Sequence, residues 1–226
     1  MSNTRQLECV IVLPATPEEV WQAITTKEGL ELWHAPEARV DPRVGGEHFI
    51  SWGGGMDGEG TIEIFEPGRH LRKATDRGHA IDIYLTSEGG QTTLRLVHSG
   101  FLTTAEWDNE FEGTKHGWNI MLRILQYSFS AHPHTQGKQA WFYTKMPMPL
   151  DEAWARMESL VGDASRFYVT PKTELAAEWN EMGPGLAYAD LSESKGKTAV
   201  SFILVLYGEA IARLDEAAEH WKKLLS

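Results

Sequence analysis

Apolar and polar positions alternate early in the chain. Every odd position from Leu7 through Cys9 and Ile11 to Leu13 is apolar, and the run is rich in β-branched residues. That is the period of a strand. Pro14 ends it. Thr16, Pro17 and Glu19 then compose a helix start, with Thr16 as the N-cap, Pro17 at the first helical position and Glu19 closing a capping box. Val20, Trp21 and Ile24 mark the inward side of that helix, and a second short helix is expected over 27–33, before Pro36.

Further strands are predicted over 39–42, 46–52, 59–65, 70–75, 80–86 and 92–98, with Pro67, Gly68 and Glu88, Gly89, Gly90 as turn signals. Their spacing suits consecutive antiparallel hairpins. Alternation puts Ile62 with Ile64 on one face, Ile81 with Ile83 and Leu85, and Leu94 with Leu96 and His98. Glu63, Asp82 and Arg95 take the other face, so one side of the sheet is covered and the other wet. The cover is a helix expected over 115–130. Lys115, His116, Asn119, Arg123, Gln126 and Ser130 form its polar arc, and the apolar arc is wider than a surface helix needs. Gly117 and Ser128 lie near the centre of the apolar arc. Such small residues either leave a void above the sheet or let the helix approach it closely, and spacing does not choose.

The stretch 130–138 has linker composition, and a boundary is placed there. The second half echoes the first. At a constant offset Pro14 meets Pro147, Glu19 meets Glu152 and Trp21 meets Trp154. Strand-like runs follow near 173–179, 185–191 and 198–207, and then a helix over 208–225 carrying Trp221. The expected order is β-α-β-β-β-α, a copy too short for the full set of strands. Residues 200–207 are apolar on both faces, which calls for cover on both sides.

Composition narrows the function classes. With 42% hydrophobic and 23% charged residues, the 226-residue chain is an ordinary globular sequence. Lys and Arg number 21 against 32 Asp and Glu, a net charge of -11. That balance argues against binding to phosphate backbones, hence no nucleic-acid partner. No run is long enough to span a bilayer and no signal-peptide pattern opens the chain, so a cytoplasmic location is expected. The lone Cys9 excludes an intrachain disulfide and a cysteine zinc cluster. No metal site and no cofactor are expected.

Candidate chemistry is sparse. Gly53, Gly54, Gly55, Met56, Asp57 and Gly58 match the letters of a dinucleotide fingerprint, but a strand follows where a helix must, so a hairpin turn is expected. The acidic run 106–112 reads as a counter-charge to the start of the long helix. His48 and His98 share faces with apolar neighbours and point under the covering helix. Each is either a structural histidine bonded to backbone or a polar anchor in an apolar site. No serine or cysteine nucleophile stands beside either by sequence, so no catalytic residue is assigned.

Several segments together resemble a known family. They are Pro14, Ala15, Thr16, Pro17, Glu18, Glu19, Val20, Trp21; Leu32, Trp33, His34, Ala35, Pro36; Asp41 with the closing Gly45, Gly46; Leu96, Val97, His98, Ser99, Gly100, Phe101; and Gly117, Trp118. The first half resembles the START-like (SRPBCC) superfamily, in its subfamily of homologues of the activator of the ninety-kilodalton heat-shock ATPase. The resemblance implies an α+β helix-grip fold over 1–131, a curved antiparallel sheet around the long helix, with 139–226 as a truncated START-like or accessory domain. It implies a cavity for apolar ligands, which favours the void reading of Gly117 and Ser128. The expected function is binding of a small hydrophobic or aromatic ligand, with a stress-response role in view. The expected lining is Trp33, Ile50, Trp52, Ile64, Ile83, Leu96, Trp118, Met121 and Leu125, with His48 and His98 giving orientation. The alternatives are a co-chaperone-like interaction module, with a chaperone partner or a homodimer, and a cyclase or hydrolase-like enzyme.

Overall fold

The computed structural model describes residues 4–75, 78–162 and 166–226. The chain divides into two compact units, Met1–His134 and Thr135–Ser226.

In the first unit β1 (Thr4–Leu13) leads into helices α1 (Pro17–Thr25) and α2 (Lys27–Trp33). Strands β2 (Glu37–Val40), β3 (Glu47–Ser51), β4 (Asp57–Glu66), β5 (His70–Ala74), β6 (Ala80–Glu88) and β7 (Gln91–Leu102) follow, then the long helix α3 (Asp108–Ala131). The seven strands form one antiparallel sheet in the order β1-β7-β6-β5-β4-β3-β2, so the first strand lies beside the last. The capping box of α1 forms as the sequence predicts: Glu19 N–H donates to Thr16 Oγ1 at 3.3 Å, and Thr16 N–H donates to Glu19 Oε2 at 2.8 Å. The glycine run is the β3–β4 turn, closed by Met56 N–H donating to the Gly53 carbonyl at 3.1 Å.

Register fixes the faces. Leu7, Cys9 and Ile11 stand opposite His98, Leu96 and Leu94, which in turn oppose Ile81, Ile83 and Leu85. This inner face lies under α3, where Gln126 Nε2 donates to the Val12 carbonyl at 3.0 Å and Cys9 Sγ lies 3.9 Å from Asn119 Oδ1. Leu94, Leu96, Ile124 and Leu125 are fully buried there, each worth about 1.5–3 kcal/mol. The outer face is charged. Arg95 makes two 2.9 Å bonds to Glu8, and Asp82 accepts from Arg72 and lies 2.8 Å from His70 Nε2.

Two expectations fail in this unit. The long helix begins at Asp108, not near residue 115, and Asp108 and Glu110 sit inside its first turn. Negative charge there complements the helix dipole, and Arg5 reaches Asp108 at 2.6 Å. These turns carry little buried apolar surface, so hydrophobic periodicity does not reveal them. Ile62 and Ile64 do not share a face. A bulge between them pairs Ile62 with Lys73 but Ile64 with Arg72. The extra residue, Glu63, reverses the alternation.

The second unit holds β8 (Gly137–Met146), α4 (Leu150–Val161), β9 (Arg166–Thr170), β10 (Glu174–Glu178), β11 (Gly185–Ser194), β12 (Lys197–Tyr207) and α5 (Leu214–Leu224). Its sheet runs β8-β12-β11-β10-β9, again with the first strand beside the last. Strand β9 is one more than the sequence pattern predicts, a five-residue element with too few positions to display a period. The expected helix over 208–225 divides into a 3-10 segment, Gly208–Arg213, and α5. The buried face of the sheet packs Phe142, Val200, Phe202, Leu204 and Leu206 against Trp154, Met157 and Trp221. Among the described residues no helix is long and apolar enough to cross a membrane.

Candidate functional site in the first unit

The inner face under α3 is apolar except at one end. There a group of rings and one amine is gathered from five places in the chain. His48 comes from β3, Lys73 from β5, His98 from β7, His34 from the end of α2 and Trp118 from α3. His34 closes α2, its N–H donating to the Leu30 carbonyl at 2.9 Å. Its ring stacks on Trp33 with centroids 5.0 Å apart, and meets Trp118 at 5.1 Å, Trp52 at 5.8 Å and His48 at 6.3 Å. Trp118 Nε1 donates to His98 Nδ1 at 3.0 Å. Beyond His98 lie His79 at 5.3 Å and Phe101 at 4.7 Å, and Trp107 closes on His79 at 5.8 Å.

Lys73 is the unexpected member. Its residue is 6% exposed, and it stands between Ile62 on β4 and Ile81 on β6. Its Nζ lies 3.2 Å from His48 Nδ1 and 3.4 Å from His48 Nε2. Among the described residues no carboxylate lies within ion-pair distance of it. Burial without a counter-charge disfavours the ammonium, and its pKa is pushed down to about 7. The imidazoles respond in the same sense. Burial, then the nearby Lys73 charge, holds His48 well below the usual histidine range. Burial, Lys73, His48 and His98 do the same to His34. Burial, then His79 and Lys73, pushes His98 down to about 3. His34, His48 and His98 are therefore neutral at physiological pH. His98 accepts at Nδ1 and so carries its proton on Nε2. His79 Nδ1 is buried and has no hydrogen-bond partner among the described residues.

The expected lining residues fall into three sets. Trp33, His48, His98 and Trp118 belong to the ring cluster, with Trp52 half-buried at its edge. Trp33 also has a structural bond, Nε1 donating to the Ala23 carbonyl at 3.0 Å. Ile50, Ile83, Leu96 and Leu125 are buried core residues, and Met121 is half-buried on α3. Ile64 does not belong here: the bulge turns it to the outer face beside Arg72. A Cβ built at Gly117 would meet only Met121 Cε, in an ordinary contact at 3.8 Å, so no backbone approaches this helix position closely. Ser128 is buried, with its hydroxyl donating to the Ile124 carbonyl at 2.8 Å.

Sequence reasoning missed Lys73, His34 and His79 as members of the cluster. Lys73 carried a readable signal, since alternation places it on the face of Leu71. Among the described residues no three His, Cys, Asp or Glu side chains are grouped so as to hold a metal ion. Burial raises the Cys9 thiol, which makes it a poor nucleophile.

The model of the Activator of Hsp90 ATPase homolog 1-like protein family matches residues 14–129, just over half of the chain. The chain belongs to that family. The homolog 1-like region holds the whole ring cluster, from His34 to Trp118. Protein MLL2253 from Mesorhizobium loti is 23% identical, with a TM-score of 0.50, and the match covers 57% of this chain and 98% of that one. The Aha1 dimer from Colwellia psychrerythraea is 22% identical at a TM-score of 0.49, over 55% of this chain and 96% of that one. DynU16, a putative protein of the dynemicin biosynthetic locus, is 14% identical at a TM-score of 0.48 and covers 88% of this chain and 86% of that one. The MLL2253 likeness shows the helix-grip fold alone and speaks to no ligand. No curated protein matches the chain.

Proposed function

We propose that the homolog 1-like unit binds a small apolar or aromatic molecule between α3 and the inner face of the sheet, oriented by His48 and His98. The observation that carries this reading is the cluster itself. Burying imidazoles and an amine among aromatic rings costs stability unless something hydrogen-bonds to them. Here an imidazole nitrogen of His79 and the Lys73 amine are left under-satisfied by the described protein groups. A few convergent polar groups in an aromatic surround are the usual composition of a ligand site. The bare Gly117 position supports it.

The test uses the neutral fluorescent probe N-phenyl-1-naphthylamine on the full chain. Saturable binding to the wild type is expected. Gly117→Leu should weaken it at least tenfold while thermal melting shows a folded protein. Unchanged affinity in a folded G117L protein would sink this reading. The co-chaperone alternative draws on Val10 and Val12, exposed at 55% and 44% on β1. Two valines beside the Glu8–Arg95 pair make less apolar surface than the few hundred Å² of a docking patch. The second unit is read as a shortened copy of the first, on the support of its like winding and the β8–Pro147–α4 opening.

A further inference from the structure

The groups facing Lys73 are all of one kind. His48 faces it from β3 at 3.2 Å, and the neutral rings of His34 and His98 stand nearby from the end of α2 and from β7. Its strand neighbours Ile62 and Ile81 bring no charge. On α3 the cluster's polar group is the indole N–H of Trp118, which donates to His98. Glu31 of α2 is the carboxylate buried closest in sequence to this end. It accepts from the Ala38 N–H at 3.4 Å and lies 3.7 Å from Lys27 Nζ. Arg72 and Asp82 belong to the opposite face. The site thus offers N–H donors and, at Lys73, a latent positive charge with no carboxylate within ion-pair distance among the described residues.

We infer that Lys73 anchors a single negative charge on the ligand, so that the molecule bound is an aromatic or apolar acid with one carboxylate-like head. This rests on the ligand-binding reading above and narrows it to a chemical class. A desolvated amine without a counter-ion sheds its proton, because a lone buried charge is far costlier than a paired one. A carboxylate in hydrogen-bond reach of Nζ reverses that preference. The empty protein near and above neutral pH holds the free amine, and binding the acid draws a proton from solvent to form ammonium against carboxylate. The apolar body of the ligand lies along the Trp33, Trp52 and Trp118 rings.

The experiment displaces N-phenyl-1-naphthylamine from the full chain with benzoate, 1-naphthoate and dodecanoate, each beside its primary amide. The wild type at pH 6.5 should prefer the best acid over its amide at least tenfold. In Lys73→Met the acid-over-amide ratio should fall to about one, whatever the affinity for the neutral probe. Calorimetry of that acid at pH 8.5, in two buffers of different ionisation enthalpy, should show uptake of close to one proton in the wild type and none in K73M. Acids binding no better than amides to the wild type, or a preference surviving in K73M, overturns the anchor. So does the absence of proton uptake, a readout that needs no variant to fold. If the neutral probe fails to bind the wild type, the ligand site itself is wrong and the anchor falls with it. Probe binding without acid preference removes the anchor alone.

Discussion

At the scale of single residues, His98 shows how burial sets a protonation state. Its Nδ1 accepts the Trp118 N–H, so a second proton there would set donor against donor. With its pKa pushed down to about 3, the unfolded chain binds the proton first as pH falls below 6.5. Stability is therefore intact above pH 6.5 and is lost as pH falls toward 3. At pH 5 the loss from His98 is about 2 kcal/mol. We expect urea unfolding to show this decline, and His98→Gln to shrink it; an unchanged pH dependence in H98Q would assign the decline elsewhere. Lys73 acts in a higher window. Its folded pKa of about 7 lies below the ordinary 10.5, so stability rises with pH from about 7 toward 10.5. Between pH 7 and 9 the gain is about 2 kcal/mol. Lys73→Met should abolish that slope and be more stable than the wild type at pH 7.

At the scale of elements, what holds the cluster together is how α2 lies on α1. A Cβ at Gly29 would come 2.5 Å from the Gln22 carbonyl oxygen and 2.6 Å from Ala23 Cα. That oxygen and Cα are backbone, so they yield only if the helices part. In an isolated helix Gly→Ala would add about 1 kcal/mol of stability. Here we expect Gly29→Ala to cost about 2–3 kcal/mol net, the upper part of the overpacking range, and to weaken probe binding by displacing Trp33 and His34. A neutral or stabilising G29A in denaturant melts would show that the helices are not so tightly set. The bulge in β4 acts on the other side of the site. It brings Phe65 inward against Trp21, with ring centroids 5.1 Å apart, while sending Ile64 outward.

At the scale of the whole molecule, each unit covers a face of its own sheet with helices. The first closes its sheet face with α1, α2 and α3. In the second, α4 and α5 pack on the face carrying Phe142, Val200, Phe202, Leu204 and Leu206. The alternate positions of the same strands, Leu186, Tyr188, Ile203 and Val205, are also large and apolar. A sheet apolar on both sides needs two layers of cover. We expect the fragment 1–134 to melt cooperatively as a monomer. The fragment 135–226, with a helix layer on one side, should self-associate in analytical ultracentrifugation. A monomeric, cooperatively folded 135–226 would instead mark it as an independent domain.

Periodicity and punctuation alone determined most of the element order. The alternation of Leu7 to Leu13, the cap at Thr16 and the glycine turn at Gly53 act within a few residues, so a linear reading suffices for them. The same reading put His48 and His98 under the helix. Contacts between distant segments were out of its reach. The bulge at Glu63 is set by pairing with β5, and the first turns of α3 are held by charge rather than by a buried stripe. Lys73 was legible as an inward position, but its lack of a counter-charge is a property of everything around it. Only the tertiary structure, by gathering His34, His48, Lys73, His98 and Trp118 from across 85 residues of chain, turned separate side chains into a site, because the low dielectric that shifts their protonation exists only once they are buried together.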